Sequence, residues 1–308
     1  MPTTSFRQKL KPWMLPIAMV CGVLFHGPIA QVQWIVPYLI FTMLLITFCR
    51  VRPSEFRIDR TIWALLAVQI IGSAVIFLII KPFNLSVAQA VFICVLCPTA
   101  TAAPVVTGML GGSIAYVASY SIVSNLATAI LAPVLFIWVG NSQTDMTFWE
   151  EFVIIIVKVA PLIVFPLLIA FTLYFFAPKA HKAVSSVQSV SFYLWAVSLF
   201  VVVGRSVSFM LSEPSDKIPE MIAMGVLAGV VCILQFRVGR RIGKLNGDPV
   251  SAGQGLAQKN TVLAIWMALT YLNPVSSIGP AAYIAWQNTI NSIQLYYKMK
   301  GSKAELKA

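Results

Sequence analysis

The chain is a succession of apolar runs, each near the roughly 20 residues that an α-helix needs to cross the hydrocarbon core of a bilayer. Ten can be drawn, at 13–30, 33–49, 62–80, 86–111, 113–139, 151–177, 188–212, 218–236, 250–271 and 277–297. The turns between them are short and carry most of the charge. Of the 308 residues, 59% are hydrophobic and 10% charged, and the mean hydropathy is +0.85. A soluble protein of this length needs far more polar surface. The expected fold is therefore an all-α membrane protein with ten transmembrane helices. Arg7, Lys9 and Lys11 precede the first run, as they would in a signal peptide. No small-x-small cleavage site precedes the second run, so the first is expected to remain as a helix.

A net charge of +12 would suit a nucleic-acid partner, but its distribution argues for a membrane. With the N-terminus inside, the cytoplasmic turns hold Arg7, Lys9 and Lys11; Arg50, Arg52, Arg57 and Arg60; Lys179 and Lys182; Arg237, Arg240, Arg241 and Lys244; and Lys298, Lys300, Lys303 and Lys307. The outer turns hold only Lys81 and Lys217, and Lys158, Arg205 and Lys259 lie within runs. This asymmetry places both termini in the cytoplasm and the basic clusters against anionic lipid. Trp13, Trp63 and Trp149 fall at span ends, as an interfacial belt does. The five cysteines lie in or beside apolar runs, and Cys94 and Cys97 form a CxxC with no second pair to complete a metal site. Plain buried thiols are expected, with no metal or other cofactor.

Ten spans divide into two sets of five, 1–140 and 141–308. An odd number per half inverts the second half in the membrane, as in many secondary transporters. Polar interruptions fall in the fourth member of each half: "CPTATAAPVVTGMLGG" in one and "GQGLAQKNT" in the other. Pro98 and Pro104 each lack an N–H and clash with the carbonyl one turn back, so the helix is expected to break between them. The hydroxyls of Thr99, Thr101 and Thr107 can meet some of the freed backbone groups. Two broken helices at matching places are the best pointer in sequence to a substrate site near the bilayer midplane.

On these residues the chain resembles the bile acid:sodium symporter family. "PTATAAPVVTGMLGGSIAYVASYSIVSNLATAILAPVL" is similar to that family's fourth and fifth helices, "AQKNTVLA" to its ninth-helix E-x-G-x-Q-N-x-x-L-A pattern, and "GPAAYIAWQNTINS" to its tenth helix. The resemblance implies a core (helices 3–5 and 8–10) in which helices 4 and 9 cross at unwound centres, and a panel (helices 1, 2, 6 and 7) that moves against it. It implies an anionic substrate at Thr99, Thr101, Asn260, Gln287 and Asn288. The sodium side departs from the pattern. The fourth-helix Ser-Asn pair is Ala103-Pro104, the fifth-helix serine is Val117, and the fifth-helix threonine is reduced to the hydroxyl of Ser121. The ninth-helix glutamate is Gly255 and the glutamine of Q-N is Lys259, while Gln69 is retained. The expected ion-coupling group is thus Lys259, Gln258, Ser121 and Gln69.

Sodium is a hard cation that needs several oxygen ligands, and an ammonium about 4 Å away would repel it by roughly 4 kcal/mol at an effective dielectric near 20. The sodium sites are therefore expected to be non-functional, with Lys259 in their volume. Burial penalises the charged form of a lysine, so proton exchange is expected to accompany transport. A permanently charged structural lysine in a uniporter and residual sodium coupling are the alternatives. A lysine within a span costs roughly 2.5–3.5 kcal/mol to insert and is functional by default. Arg205 is expected to snorkel or to meet an anion or gate, Lys158 to snorkel, and Ser124 and Asn125 to bond between helices or line the core. No role is assigned to His26. An intramembrane Ser–Lys enzyme lacks any GxSxG or HExxH support, and a channel or sensor is the rival of another class. Short loops favour a small organic anion over a bile acid, in a cytoplasmic (inner) membrane. Partners expected are that anion and the bilayer, with no nucleic acid and no obligate protein partner.

Overall fold

The computed structural model describes residues 14–50, 56, 58–140 and 147–305. Arg7, Lys9, Lys11, Arg52, Arg57 and Lys307, which the orientation rule counts on the inner side, and Trp13 of the expected belt lie outside the described residues. The chain is helical almost throughout: α1 (Met14–Leu24), α2 (Val36–Phe48), α3 (Arg60–Ile80), α4 (Leu85–Leu96), α5 (Ala103–Met109), α6 (Ile114–Val139), α7 (Phe148–Phe176), α8 (Pro178–Ser186), α9 (Gln188–Ser212), α10 (Ile218–Gly243), α11 (Pro249–Ala257), α12 (Thr261–Tyr271) and α13 (Ile278–Glu305). Among the described residues, six stretches are long and apolar enough to cross a membrane: Gln31–Phe48, Arg60–Ile80, Ile114–Val139, Phe148–Phe176, Tyr193–Ser212 and Ser215–Asn246. The protein is a helical membrane protein.

Polar caps in the turns set where the apolar runs start. Asp59 accepts from the Ile62 N–H, Asn84 from Val87, Ser113 from Tyr116 and Asp248 from Ser251, while Thr147 and Glu150 form a capping box. Each satisfies N–H groups that a helix start leaves without a partner. Once inside lipid, every further backbone group must bond within the protein, which keeps the runs helical. Side chains such as Ile71 and Leu78 on α3, Phe165 on α7 and Val226 on α10 remain exposed, as lipid-facing positions do.

The first expected span, 13–30, is shorter than drawn. Helix α1 stops at Leu24, and a turn His26–Ile29 and a 3-10 helix Ala30–Ile35 lead into α2. Pro28 is the cause, since its ring would meet the carbonyl of Leu24 four residues back. The amphipathic α8 between the sixth and seventh spans was not expected either. The fourth and ninth spans are each two helices, α4 with α5 and α11 with α12.

Helices α1, α2, α7 and α9 pack on one another, as do α3, α4, α10, α11 and α13; α6 touches both groups. In the first group α1 and α9 approach backbone to backbone: a Cβ on Gly22 would lie 2.8 Å from the Phe200 carbonyl oxygen. Small residues permit such close contact where lipid offers no hydrophobic drive between helices.

Candidate functional site

Helix α4 ends at Leu96, ahead of Pro98, and Pro104 sits in the first turn of α5. Helix α11 ends at Ala257, and α12 begins after Asn260, whose Oδ1 accepts the Leu263 N–H at 3.3 Å. The two gaps meet. Thr99 and Lys259 pair as an isolated antiparallel bridge, with the Ala100 N–H on the Gln258 oxygen at 2.7 Å and the Asn260 N–H on the Pro98 oxygen at 2.8 Å. Each interrupted segment thus supplies the other with backbone partners that its own helix has given up.

Side chains meet the remaining groups. Gln69 Nε2 donates to the Leu96 oxygen at 2.7 Å, Thr99 Oγ1 to the Gly255 oxygen at 2.8 Å, and the Tyr283 hydroxyl to the Ala257 oxygen at 2.7 Å. Gln287 Oε1 accepts the Lys259 N–H at 3.0 Å, Cys97 Sγ donates to the Asn260 oxygen at 3.0 Å, and the Thr99 N–H reaches Ser124 Oγ at 3.3 Å. Unpaired buried backbone groups cost about 1–3 kcal/mol each, so these bonds are what allows two helices to stay unwound inside the protein.

Lys259 is among the largest fully buried side chains, at 1% exposure. Its Nζ donates to the Val95 oxygen at 2.8 Å, one of the carbonyls in the last turn of α4. The thiols of Cys97, Cys94 and Cys232 lie near it. Among the described residues no carboxylate pairs with it.

The expected site residues are divided among three places. Lys259, Asn260 and Gln287 lie at the crossing, and Gln287, 1% exposed, is spent on the Lys259 backbone rather than left free for a ligand. The Gln258 oxygen takes part in the bridge while its buried Oε1 has no partner. Gln69 belongs with Tyr120, Ser124, Thr128 and Thr99 on the α3–α6 side, and no hydrogen bond joins it to Lys259 among the described residues. Thr101 and Ser121 face a third place, a cavity of about 870 Å³. Asn288 is half-buried on α13, and its backbone oxygen accepts from Ser292. The expected ion-coupling group is therefore not one cluster. The ammonium reaches toward α4 and the thiols, while Gln69 and Ser121 stand elsewhere.

The cavity is enclosed by α2 and its end, α5 with the residues before it, α6, α8 and α9. Ile46, Thr47, Phe48 and Arg50 of α2 and its end, Ser186, Ser191 and Trp195 of α8 and α9, and residues of α5 and α6 line it. Among the described residues, Arg50 is the one charged side chain in that lining. Other residues take plain roles: Asn125 Nδ2 bonds the Ser121 oxygen on its own helix at 2.7 Å, and Lys158 is exposed. Arg205 is half-buried, with its guanidinium 4.3 Å from the centre of the Phe209 ring on its own helix. His26 Nδ1 meets Ser208 Oγ at 3.1 Å and so ties the turn after α1 to α9.

Reading by motif missed Tyr120, Tyr283, Gln235 and Arg50. Tyr120, Ser124 and Thr128 recur every four residues, a polar stripe on one face of α6, and that spacing could have marked the first of them. Tyr283 and Gln235 bond each other at 3.0 Å from helices far apart in sequence, and no local pattern announces them.

No family model and no curated protein matches the chain.

Proposed function

We propose that the protein is a secondary transporter of a small organic anion, a carboxylate or a bile-acid-like molecule. It works by alternating access and without sodium, with the Lys259 ammonium in the role of a coupling ion and able to release and regain a proton. The architecture proposed is ten spans in two inverted repeats, 1–140 and 141–308, on the pattern of the bile acid:sodium symporter family. The panel is α1, α2, α7 and α9, and the core carries the crossing.

One observation carries the reading: two helices interrupted at the same depth, each completing the other's backbone, with a buried ammonium on the Val95 oxygen at 2.8 Å. The start of α12, capped by Asn260, lies there, and the partial positive charge of a helix N-terminus suits an anion. The cavity of about 870 Å³ adds to this, since an opening of α2 and α9 onto α5 and α6 is where a rocking motion would expose a midplane site. Its mouth lies beside Arg50 and α8, the side that the distribution of Lys and Arg assigns to the cytoplasm of an inner membrane.

The test uses purified protein, melted with cholate, pantoate and short-chain carboxylates, in sodium or potassium salts and across pH. At least one carboxylate is expected to raise the melting temperature equally in both salts, with a pH dependence that Lys259→Gln abolishes. Stabilisation that requires sodium in the wild type overturns the coupling assignment, and the absence of any response to an anion overturns the transport assignment.

A further inference from the structure

The crossing is flanked on its α3–α6 side by a group of oxygen atoms packed around one aromatic ring. Tyr120 is fully buried. Its hydroxyl donates to Gln69 Oε1 at 2.7 Å, and Ser124 Oγ donates to the same atom at 2.9 Å. Gln69 Nε2 in turn reaches the Leu96 oxygen at 2.7 Å and Thr128 Oγ1 at 3.3 Å. The face of the Tyr120 ring lies against α11, where a Cβ on Gly255 would come within 3.0 Å of Tyr120 Cδ1 and 3.6 Å of Cγ. The Gly255 oxygen accepts from Thr99 Oγ1 at 2.8 Å.

We infer that Tyr120 is a fixed plug that keeps the crossing closed to metal ions, and that Gly255 is a glycine because the plug needs its space. The proposal rests on reading the crossing as a transport site that runs without sodium. The chemistry is as follows. Gln69 Oε1 and Ser124 Oγ, 2.9 Å apart, are neutral hard oxygen atoms of the kind that a monovalent cation such as sodium or lithium takes, and the Tyr120 ring stands between them and the Gly255 backbone of α11. A carboxylate, which a divalent ion would require, is missing from the set. The phenol ring fills the volume between α6 and α11, and its hydroxyl occupies the Gln69 lone pair that a cation would use. Lys259 does not reach this side. The ammonium and the ring thus have separate tasks: one completes the Val95 carbonyl, and the other excludes an ion beside Gln69.

The experiment is thermal unfolding of the purified full chain in chlorides of lithium, sodium, potassium and N-methylglucamine at equal ionic strength. Wild type and Tyr120→Phe, which keeps the ring, are expected to melt at the same temperature in every salt. Tyr120→Ala is expected to be stabilised selectively by sodium or lithium. A site filled to about tenfold over its dissociation constant raises the melting temperature by about 3 °C. If Tyr120→Ala melts identically in all four salts, or if Tyr120→Phe becomes as sodium-responsive as Tyr120→Ala, the plug is overturned. Should Tyr120→Ala fail to fold, the pair Gly255→Ala and Gly255→Ala with Tyr120→Leu decides. The single variant is expected to lower folded yield severalfold and the double variant to restore it, whereas equal losses in both overturn the steric half of the claim. A sodium response already present in the wild type would instead strike the sodium-independent reading of the transporter, so the two failures are distinguishable.

Discussion

Lys259 has three N–H donors, and among the described residues its charge is met by one carbonyl oxygen, that of Val95. An ammonium held that way recovers little of the several kcal/mol lost on leaving water. The bond to Val95, if removed, leaves a buried acceptor open at about 1–3 kcal/mol. The first quantity is the larger. Lys259→Met, of similar length and without charge, is therefore expected to melt as high as wild type or higher, by on the order of 1–2 kcal/mol, while losing anion binding. A residue kept at a cost to stability is one kept for function. Differential unfolding of the two proteins checks the sign, and a clear drop for the methionine variant would mean that the ammonium has partners beyond Val95. Sequence made this residue conspicuous because no acid lies near it along the chain. It did not reveal where the side chain points. That depends on α4, more than 160 residues away in the chain.

At the scale of elements, the two interruptions have different causes, and this decides how far each was legible. In the first, Pro98 and Pro104 forbid a continuous helix by sterics alone, so the break could be placed to within a turn. The second contains no proline. Its gap is held by Asn260 as a side-chain cap for α12 and by the bridge to Pro98 and Ala100, so the break follows from tertiary contact. The same distinction accounts for the first span, where Pro28 was present in sequence but its effect on α1 was not drawn. Loss of the cap in Asn260→Ala is expected to cost about 0.5–2 kcal/mol, with the loss seen in thermal unfolding and in faster amide exchange over the first turn of α12. A second convergence lies at one rim of the molecule, where the starts of α3, α6 and α11 meet. Asn246 Nδ2 bridges Asp59 Oδ2 at 3.2 Å and Thr61 Oγ1 at 3.0 Å, Thr61 meets the Tyr116 hydroxyl at 2.6 Å, and Asp248 Oδ2 accepts the Ser113 N–H at 3.2 Å. Burial pushes the Asp59 carboxyl up, but hydrogen bonds from Thr61, the Ile62 N–H and Asn246 outweigh it and hold the group below its ordinary value of 3.8. A carboxylate depressed on folding adds stability above its unfolded value and loses it as pH falls through the folded one. The rim should loosen only below about pH 4, and Asp59→Asn should remove that acid-side dependence in a melting series across pH.

For the whole molecule, the question is what the cavity that α2, α5, α6, α8 and α9 enclose selects. Its walls are apolar at Ile46, Phe48, Val105, Ile122 and Trp195, with hydroxyls of Thr101 and Ser121, and among the described residues Arg50 is the single charge in the lining. A lone cation in a partly enclosed space raises the local concentration of anions. A charged molecule passing within about 8 Å of Arg50 in water gains or loses about 0.5 kcal/mol. That alters its rate about twofold, or about fivefold in the ratio of an anionic to a cationic reagent of equal size. The measurement requires no knowledge of the natural ligand. A cysteine placed at Ser121 can be titrated with sulfonate and trimethylammonium methanethiosulfonates, since the five native thiols are free but four are buried and Cys21 is half-buried. The anionic reagent is expected to react faster, with the ratio falling about fivefold in Arg50→Gln and falling likewise as salt shortens the screening length. Arg50→Lys should keep most of the preference, because charge rather than guanidinium geometry sets it. Equal rates for both reagents with Arg50 intact would mean that the positive end of the molecule faces away from the cavity, and the anion would then have to be recognised at the crossing alone.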